Sequence, residues 1–548
     1  MNKLFLLILH LVVWNFSHSQ NTVGLISYNK DKTFDGYTLI YPHNQPHVYL
    51  LNNCGEIVHT WQDSSIWRPG NTAYITKEAK LVKAKRLNTV VGNPIWFGGG
   101  GAIVEIRDWN NKLEWSYEVN DTLRRLHHDI CVMPNGNILM MVWVKKTKNE
   151  LIAAGRDTSR YKNDVLHSEQ IIEVNPKTNQ VVWKWDMWDH IIQDYDATKP
   201  NFGVVSARPE KIDINYAQIQ DGSWFHMNAI DYNEELDQIM VSVPTHNEIW
   251  IIDHSTTTQQ AATSNGGLSG AGGDLIYRWG NPAVYKKGGI QDQLSFYQHG
   301  VNWARNFLLP TNPDYGKILF FNNRFNTSFS QVNFIVPPWD MYEWKYKKTN
   351  GIWGPTSYNK SIRHPQPTKL FSDILSNAQL LPNGNILILS GRHGYIFELS
   401  KENQVVWEYI VPLKNGNSVP QKSMLSINDN TNFRANKYPV NFTAFQGKDL
   451  SAKGYMEQLP DQGYCNRLVP VKEQNIESFR LYPNPASNYI SVTVPNTVKA
   501  RLYSYNGALI NDLNLSEGVN DINVQHLDEG LYFLLLENGS LRAFSIVK

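Results

Sequence analysis

Residues 223–253 read SWFHMNAIDYNEELDQIMVSVPTHNEIWIID. The stretch opens on His226 among aromatics, and Asp237-Gln-Ile-Met-Val-Ser-Val243 follows as an alternating run. A Pro244/Asn247 turn then leads into Glu248-Ile-Trp-Ile-Ile-Asp253. Successive side chains on a strand point to opposite faces, so period-two alternation between turn residues predicts paired β-strands. The order of histidine, strand, turn and strand recurs along the chain, and the recurrence decides the fold.

One half of the repeat is a strand with a hydrophobic pair before tryptophan. It occurs as Gly55-Glu-Ile-Val-His-Thr-Trp61, Asn111-Lys-Leu-Glu-Trp115, Asn179-Gln-Val-Val-Trp-Lys-Trp185, Asp274-Leu-Ile-Tyr-Arg-Trp279 and Asn403-Gln-Val-Val-Trp-Glu-Tyr409, and more loosely as Met341-Tyr-Glu-Trp344. The other half is Met133-Pro-Asn-Gly-Asn-Ile-Leu-Met-Met-Val142, repeated at Leu381-Pro-Asn-Gly-Asn-Ile-Leu-Ile-Leu389. Asn-Gly between two β runs supplies the positive φ of a hairpin turn. Asp237–Val243 and Gly316-Lys-Ile-Leu-Phe-Phe321 fill the same slot in degenerate form. Six such units with no helices between them predict an all-β chain, a six-bladed β-propeller over residues 20–470. Arg/Asp/Lys-rich segments within 145–222 read as insertions over one face, and 255–273 as a flexible loop. The stretch 410–475 holds the last strands, the ring closure and a linker.

Lys+Arg 51 against Asp+Glu 50 gives a net charge of +1. With no basic block, nucleic acid and anionic membrane are not expected partners. The 18 Trp and 27 Tyr suit a β-rich protein. Residues 1–19 have a lysine, an apolar run and a small polar end, the pattern of a signal peptide. No later stretch is apolar for long enough to cross a membrane as a helix. Cys54, Cys131 and Cys465 carry no metal-binding spacing, so at most one disulfide forms, its pair open. No cofactor is called for.

From Phe479 a new unit begins, with short alternating strands and turns at Asn506-Gly507 and Asn538-Gly539. A small β-sandwich over 479–548 is expected. Its Tyr482-Pro-Asn-Pro-Ala-Ser487, Leu502-Tyr-Ser-Tyr-Asn-Gly507 and Gly530-Leu-Tyr-Phe533 resemble the C-terminal sorting domain of the type IX secretion system of Bacteroidota. The resemblance implies the secretion machinery as a partner, and a secreted or outer-surface location reached via the periplasm.

In a propeller the innermost strands line a central channel, so polar residues opening those strands are natural site candidates. Three openings carry histidine: Leu126-His-His-Asp129, Phe225-His-Met-Asn228 and Tyr297-Gln-His-Gly-Val-Asn302, and Phe321-Asn-Asn-Arg324 ends a following strand. Imidazole serves as neutral nucleophile or general acid/base, and arginine offers a fork of donors for an oxyanion. Histidines with an arginine, without a Ser/His/Asp or paired-carboxylate set, favour transfer of an oxyanionic group. The cluster Asp186, Asp189, Asp194 and Asp196 around His190 reads as a solvated loop.

The segments His226-Met-Asn-Ala-Ile-Asp-Tyr232, Gln298-His-Gly-Val-Asn-Trp303 and Phe320–Arg324 resemble the aryl-sulfate sulfotransferase family. Members are six-bladed propellers that move sulfate from a phenolic sulfate donor to a phenol acceptor through a sulfated histidine. The resemblance implies sulfate-holding roles for His226, His299 and Arg324, with His128 and His393 as further candidates. Where the family's covalent histidine belongs in a late blade, this chain has Ser376-Asn377. A secreted propeller that binds aryl or glycan ligands without turnover is the alternative, and a metal-dependent hydrolase or lyase on the same histidines a third.

Overall fold

The structure, a computed structural model, describes residues 20–468 and 479–548 apart from 90–94, 96, 158, 160–164, 217–222, 506, 538 and 539. The signal peptide expected over 1–19 and the turn residues Asn506, Asn538 and Gly539 lie outside the described residues. The chain divides into two compact units at Leu468/Val469. It is nearly all-β, built from multiple four-stranded antiparallel sheets.

Among the described residues, the first unit holds six sheets of four or five strands, in chain order. The first joins Gly36–Pro42, Val48–Leu51 and Ile57–Trp61 to the late strand Asn432–Pro439. The second and third run from Trp67–Ile75 to Leu113–Glu118 and from Arg124–Val132 to Gln180–Asp186. The fourth spans Ala229–Asn233 to Tyr277–Trp279, and the fifth spans His299–Trp303 to Lys360–Ile362. The sixth, Asn377–Leu380 to Val405–Ile410, takes Gly24–Tyr28 as a fifth strand. The leading strand of each sheet touches that of the next, and Asn377–Leu380 touches Asn432–Pro439, which closes the circuit. Pairing of Asn432–Pro439 with Gly36–Pro42 ties the end of the unit to its beginning.

The tryptophan repeat has a physical cause. Trp61, Trp185 and Trp279 lie in the outermost strand of their sheets and Trp407 in the strand beside the outermost one, and each indole N–H donates to a carbonyl of the following sheet. The acceptors are the carbonyls of Asp108, Gly273, Pro355 and Asn53, at 2.7 to 3.2 Å. Trp115 does the same to the Asn179 side chain at 3.0 Å. Each ring fills the space between two sheets while its one donor stays satisfied. Trp344 does not belong to this series. It sits at φ +52° in the turn between Trp339–Asp340 and Lys345–Tyr346, and Lys360–Ile362 is the fourth strand there. The two PNGN turns form as expected, with Gly136 and Gly384 both at φ +85°.

Parts of 145–222 belong to the third sheet: Ile138–Thr147 and Val165–Asn175 are long strands paired over ten residues, and Gln180–Asp186 is its fourth strand. His190 is not in a solvated loop: it is buried, with Nδ1 2.7 Å from Asp274. Cys54 and Cys465 form the disulfide and Cys131 is free. In the second unit, a three-stranded sheet (Arg480–Tyr482, Tyr489–Val494, Gly518–Asn523) and a four-stranded sheet (Val498–Ser504, Leu509–Leu515, Gly530–Leu536, Leu541–Ile546) share one core around Ile490, Leu502, Leu534 and Phe544.

Candidate functional site

Three of the predicted histidines gather at the openings of the third, fourth and fifth leading strands. His128 lies within Arg124–Val132, His226 precedes Ala229–Asn233, and His299 begins His299–Trp303. The His128 and His226 rings meet edge to face, with centroids 4.5 Å apart. His128 and His299 are buried and His226 is partly exposed.

Burial is the main cause that depresses all three imidazoles, and the neighbouring histidines add to it at His128 and His226. His226 falls to about 3, His299 to about 4, and His128 well below its ordinary value. Arg324 and Arg434 contribute to the shift at His299. At neutral pH the cluster is therefore uncharged, the state in which imidazole is a nucleophile.

The tautomer of His299 follows from its partners. Its Nδ1 faces the Asn323 Oδ1 at 2.9 Å and the Tyr297 carbonyl at 3.2 Å. The Asn323 amide is turned that way because its Nδ2 donates to the Ser372 and Leu375 carbonyls, at 2.7 and 2.9 Å. Both atoms at Nδ1 accept, so the proton is on Nδ1 and Nε2 keeps its lone pair. His226 Nδ1 lies 2.7 Å from the Ser223 hydroxyl, which can donate or accept. His128 Nδ1 is 3.0 Å from His127 Nδ1, and Gly99 packs so closely on its Nε2 that a Cβ there would sit 2.0 Å away. Of the three rings, His128 is the occluded one.

Arg324 is exposed at the rim. Its guanidinium stacks 3.7 Å from the centroid of Tyr297 and Nε donates to the Asp373 carbonyl. His393 is not drawn in: it is exposed after Gly391, and no hydrogen bond or ring contact joins it to the other histidines among the described residues. Ser376, in the late slot, is buried and its Oγ accepts the Gly391 N–H at 2.9 Å.

Two groups escaped the reading of the sequence. His127 stacks on Trp143 with centroids 4.4 Å apart, and its Nε2 is 2.8 Å from Glu169. Arg434, on the strand that closes the ring, pairs with the buried Asp129 at 2.5 Å. Asp129 also accepts the Tyr74 hydroxyl and the Ile230 N–H. Nothing near Arg434 repeats a motif, which is why the sequence hid it. Among the described residues no group of three or more His, Cys, Asp or Glu is placed to hold a metal ion.

The first unit is thus a closed circuit of β-sheets with neutral histidines at or near the start of three leading strands. Residues 92–434 match the family described as Arylsulfotransferase (ASST), and the chain belongs to it. Residues 480–547 match the secretion system C-terminal sorting domain, so the protein is exported by the type IX system to the outer surface or extracellular space. No curated protein matches the chain. Among solved structures it is similar to a protein of unknown function from Bacteroides caccae (12% identity, 69% of this chain and 94% of that one, TM-score 0.37). It is also similar to a streptogramin B lyase (11%, 77% and 95%, 0.34). A third similarity is to PorZ of Porphyromonas gingivalis (9%, 92% and 68%, 0.27). No helix of the described residues is long and apolar enough to cross a membrane.

Proposed function

We propose that the first unit is a six-bladed propeller that transfers a sulfuryl group from one phenol to another, with His299 as the nucleophile and a small β-sandwich as its export tail. The observation that carries this reading is the fixed tautomer of His299. Asn323 holds Nδ1–H, which leaves Nε2 unprotonated and available, and His299 is close enough to His226 to depress it electrostatically. Family membership supports the reaction class, and the hydrogen bond of Ser376 to the Gly391 N–H argues against that late position as the nucleophile.

In the first step Nε2 of His299 attacks sulfur of the aryl sulfate. An N–S bond forms as the S–O bond to the aryl group breaks, and the phenolate leaves with the bonding pair. His226, whose Nδ1 is held by Ser223, donates or accepts the proton of the leaving and incoming phenols. Arg324 at the rim attracts the anionic donor and supplies donors to the equatorial oxygens. A second phenol then attacks sulfur, the N–S bond breaks, and the imidazole returns to its neutral form. Burial keeps the ring unprotonated, which this sequence requires. His128 and Arg434 act from behind, as positioning groups around His226 and Asp129.

The test incubates the protein with a chromogenic aryl sulfate, with and without added phenol. Release that rises with the phenol, with sulfated acceptor formed, is the expected result. Acid-stopped enzyme should carry one sulfuryl group on a peptide containing His299. His299→Ala should abolish both adduct and transfer, and an adduct that persists in that variant refutes the assignment. A non-catalytic binding propeller is favoured by one observation, the commitment of Ser376 to the Gly391 backbone. It predicts ligand binding with no release and no adduct.

A further inference from the structure

Arg434 also borders a cavity of about 850 Å3, which none of the three histidines lines. Its volume is in the range of small-molecule sites. Of the charged residues around it, Lys77, Lys80, Lys177 and Arg434 face Glu78, Asp231 and Glu234, and Arg434 is already neutralised by Asp129. A strongly anionic or cationic ligand therefore finds no net field there.

Three features of the lining point to one ligand chemistry. Phe307 holds φ +63°, a conformation that a bulky side chain adopts only against strain. Its ring is braced edge to face by Tyr438 and Phe442, with centroids 5.6 and 5.2 Å away, and stays 36% exposed. The strain thus keeps a rigid aromatic platform at the cavity. Next, the Asn306 and Asn436 carboxamides bond to no protein group among the described residues. Asn302 donates to the Gly300 and Ala378 carbonyls, which leaves its Oδ1 as a fixed acceptor. Finally, burial lifts the Asp231 carboxyl to about 6, and it accepts the Trp303 and Tyr232 N–H groups. Carboxamides offer donors and an acceptor at the spacing of neighbouring hydroxyls, and an aromatic face receives the C–H face of a sugar ring.

We propose that this cavity is a second binding site, for a neutral oligosaccharide, distinct from the histidine cluster. The site does not depend on the transfer reaction. The full-length chain would be titrated calorimetrically with maltohexaose, cellohexaose, laminarihexaose, xylohexaose and mannohexaose. Saturable binding of at least one is expected. Phe307→Gly suits the backbone at this φ, so it should keep or raise the unfolding temperature and leave aryl-sulfate turnover intact. It should nevertheless weaken the sugar at least tenfold. Asn436→Ala should weaken it similarly, Phe307→Tyr should retain it, and His299→Ala should bind it as wild type does. The proposal is overturned if none of the five probes binds. It is equally overturned if binding survives both Phe307→Gly and Asn436→Ala, or if His299→Ala abolishes it.

Discussion

Lys437 and Glu398 hold the ring shut, and removing one of them measures how firmly. Lys437 lies on Asn432–Pro439 of the first sheet and Glu398 on Tyr395–Leu399 of the sixth. Both side chains are fully buried and their charges are 2.9 Å apart. Burial lowers the lysine pKa, and attraction to Glu398 works against that. Glu398 Oε1 also accepts the Phe34 N–H and the Asn385 amide, each at 2.6 Å. At an effective dielectric of about 20, unit charges roughly 3 Å apart attract by about 5–6 kcal/mol. Each ion gives up several kcal/mol of hydration, so the intact pair is close to neutral, while stripping one partner costs about 3–5 kcal/mol. Lys437→Met should therefore destabilise the first unit by about 3–5 kcal/mol, and Glu398→Gln by a similar amount. The double variant buries no charge and should lose less than either single alone.

Urea unfolding followed by tryptophan fluorescence reads this, because the Lys437 ammonium lies 5.1 Å from the Trp407 ring. Arg434 is on the same strand, so the single variants should also lower aryl-sulfate turnover by loosening its pairing with Asp129. A Lys437→Met variant within about 1 kcal/mol of wild type would refute the reasoning. So would two single effects that simply add in the double variant.

Other predictions follow from the same geometry. Asn323→Leu frees the His299 tautomer, so kcat should fall about 10- to 100-fold with KM little changed, read by steady-state kinetics. His128, His226 and His299 are neutral when folded and protonate when unfolded. The stability they contribute is present above about pH 6.5 and is lost as pH falls toward their folded values, and His226→Asn should flatten that acid slope in denaturant titrations. His254 has the opposite sign. Burial pulls it down, but hydrogen bonds to Asp237 and Glu173 prevail and raise it to about 9, so its contribution is present below about pH 6.5 and lost as pH rises through 9. His254→Gln should remove that alkaline slope. Trp185→Phe should cost about 1–3 kcal/mol by leaving the Gly273 carbonyl unpaired, and Trp185→Ala about 3–5 kcal/mol or more, by thermal unfolding.

Much of the fold was legible because it depends on local chemistry that repeats. A tryptophan in or beside the outer strand finds one acceptor in the next sheet, and five copies make such a bond. Trp344 misled because a loose match in sequence does not carry the partner. Within 145–222 the strand Val165–Asn175 was not legible, because its pairing partner Ile138–Thr147 lies across a charged connection. The disulfide was not legible, since Cys54 and Cys465 are 411 residues apart and meet only through closure of the ring. Arg434 was hidden for the same reason: its pairing with Asp129 spans 305 residues.

Why histidines at strand openings could be read as a site has a structural answer. Five of the six sheets place a residue at positive φ in or just before the leading strand, at a register shift within it for Asn71, His128 and Gly300 and just before it for His226 and Ser376, at φ between +48° and +95°. A non-glycine side chain there costs energy and persists only where surrounding contacts fix it. Asn71 and Ser376 use the slot to pin a neighbouring loop, through the Gly99 carbonyl and the Gly391 N–H. At His128 and His226 the same backbone turn aims an imidazole at its neighbour instead. In the fifth sheet glycine takes the slot because a Cβ at Gly300 would lie 2.7 Å from that of Asn377. The histidine there moves one residue earlier, to His299, where Asn323 rather than strain sets its orientation. The imidazole with the best-defined lone pair is thus the one that left the strained slot, and it is there that the covalent step is assigned.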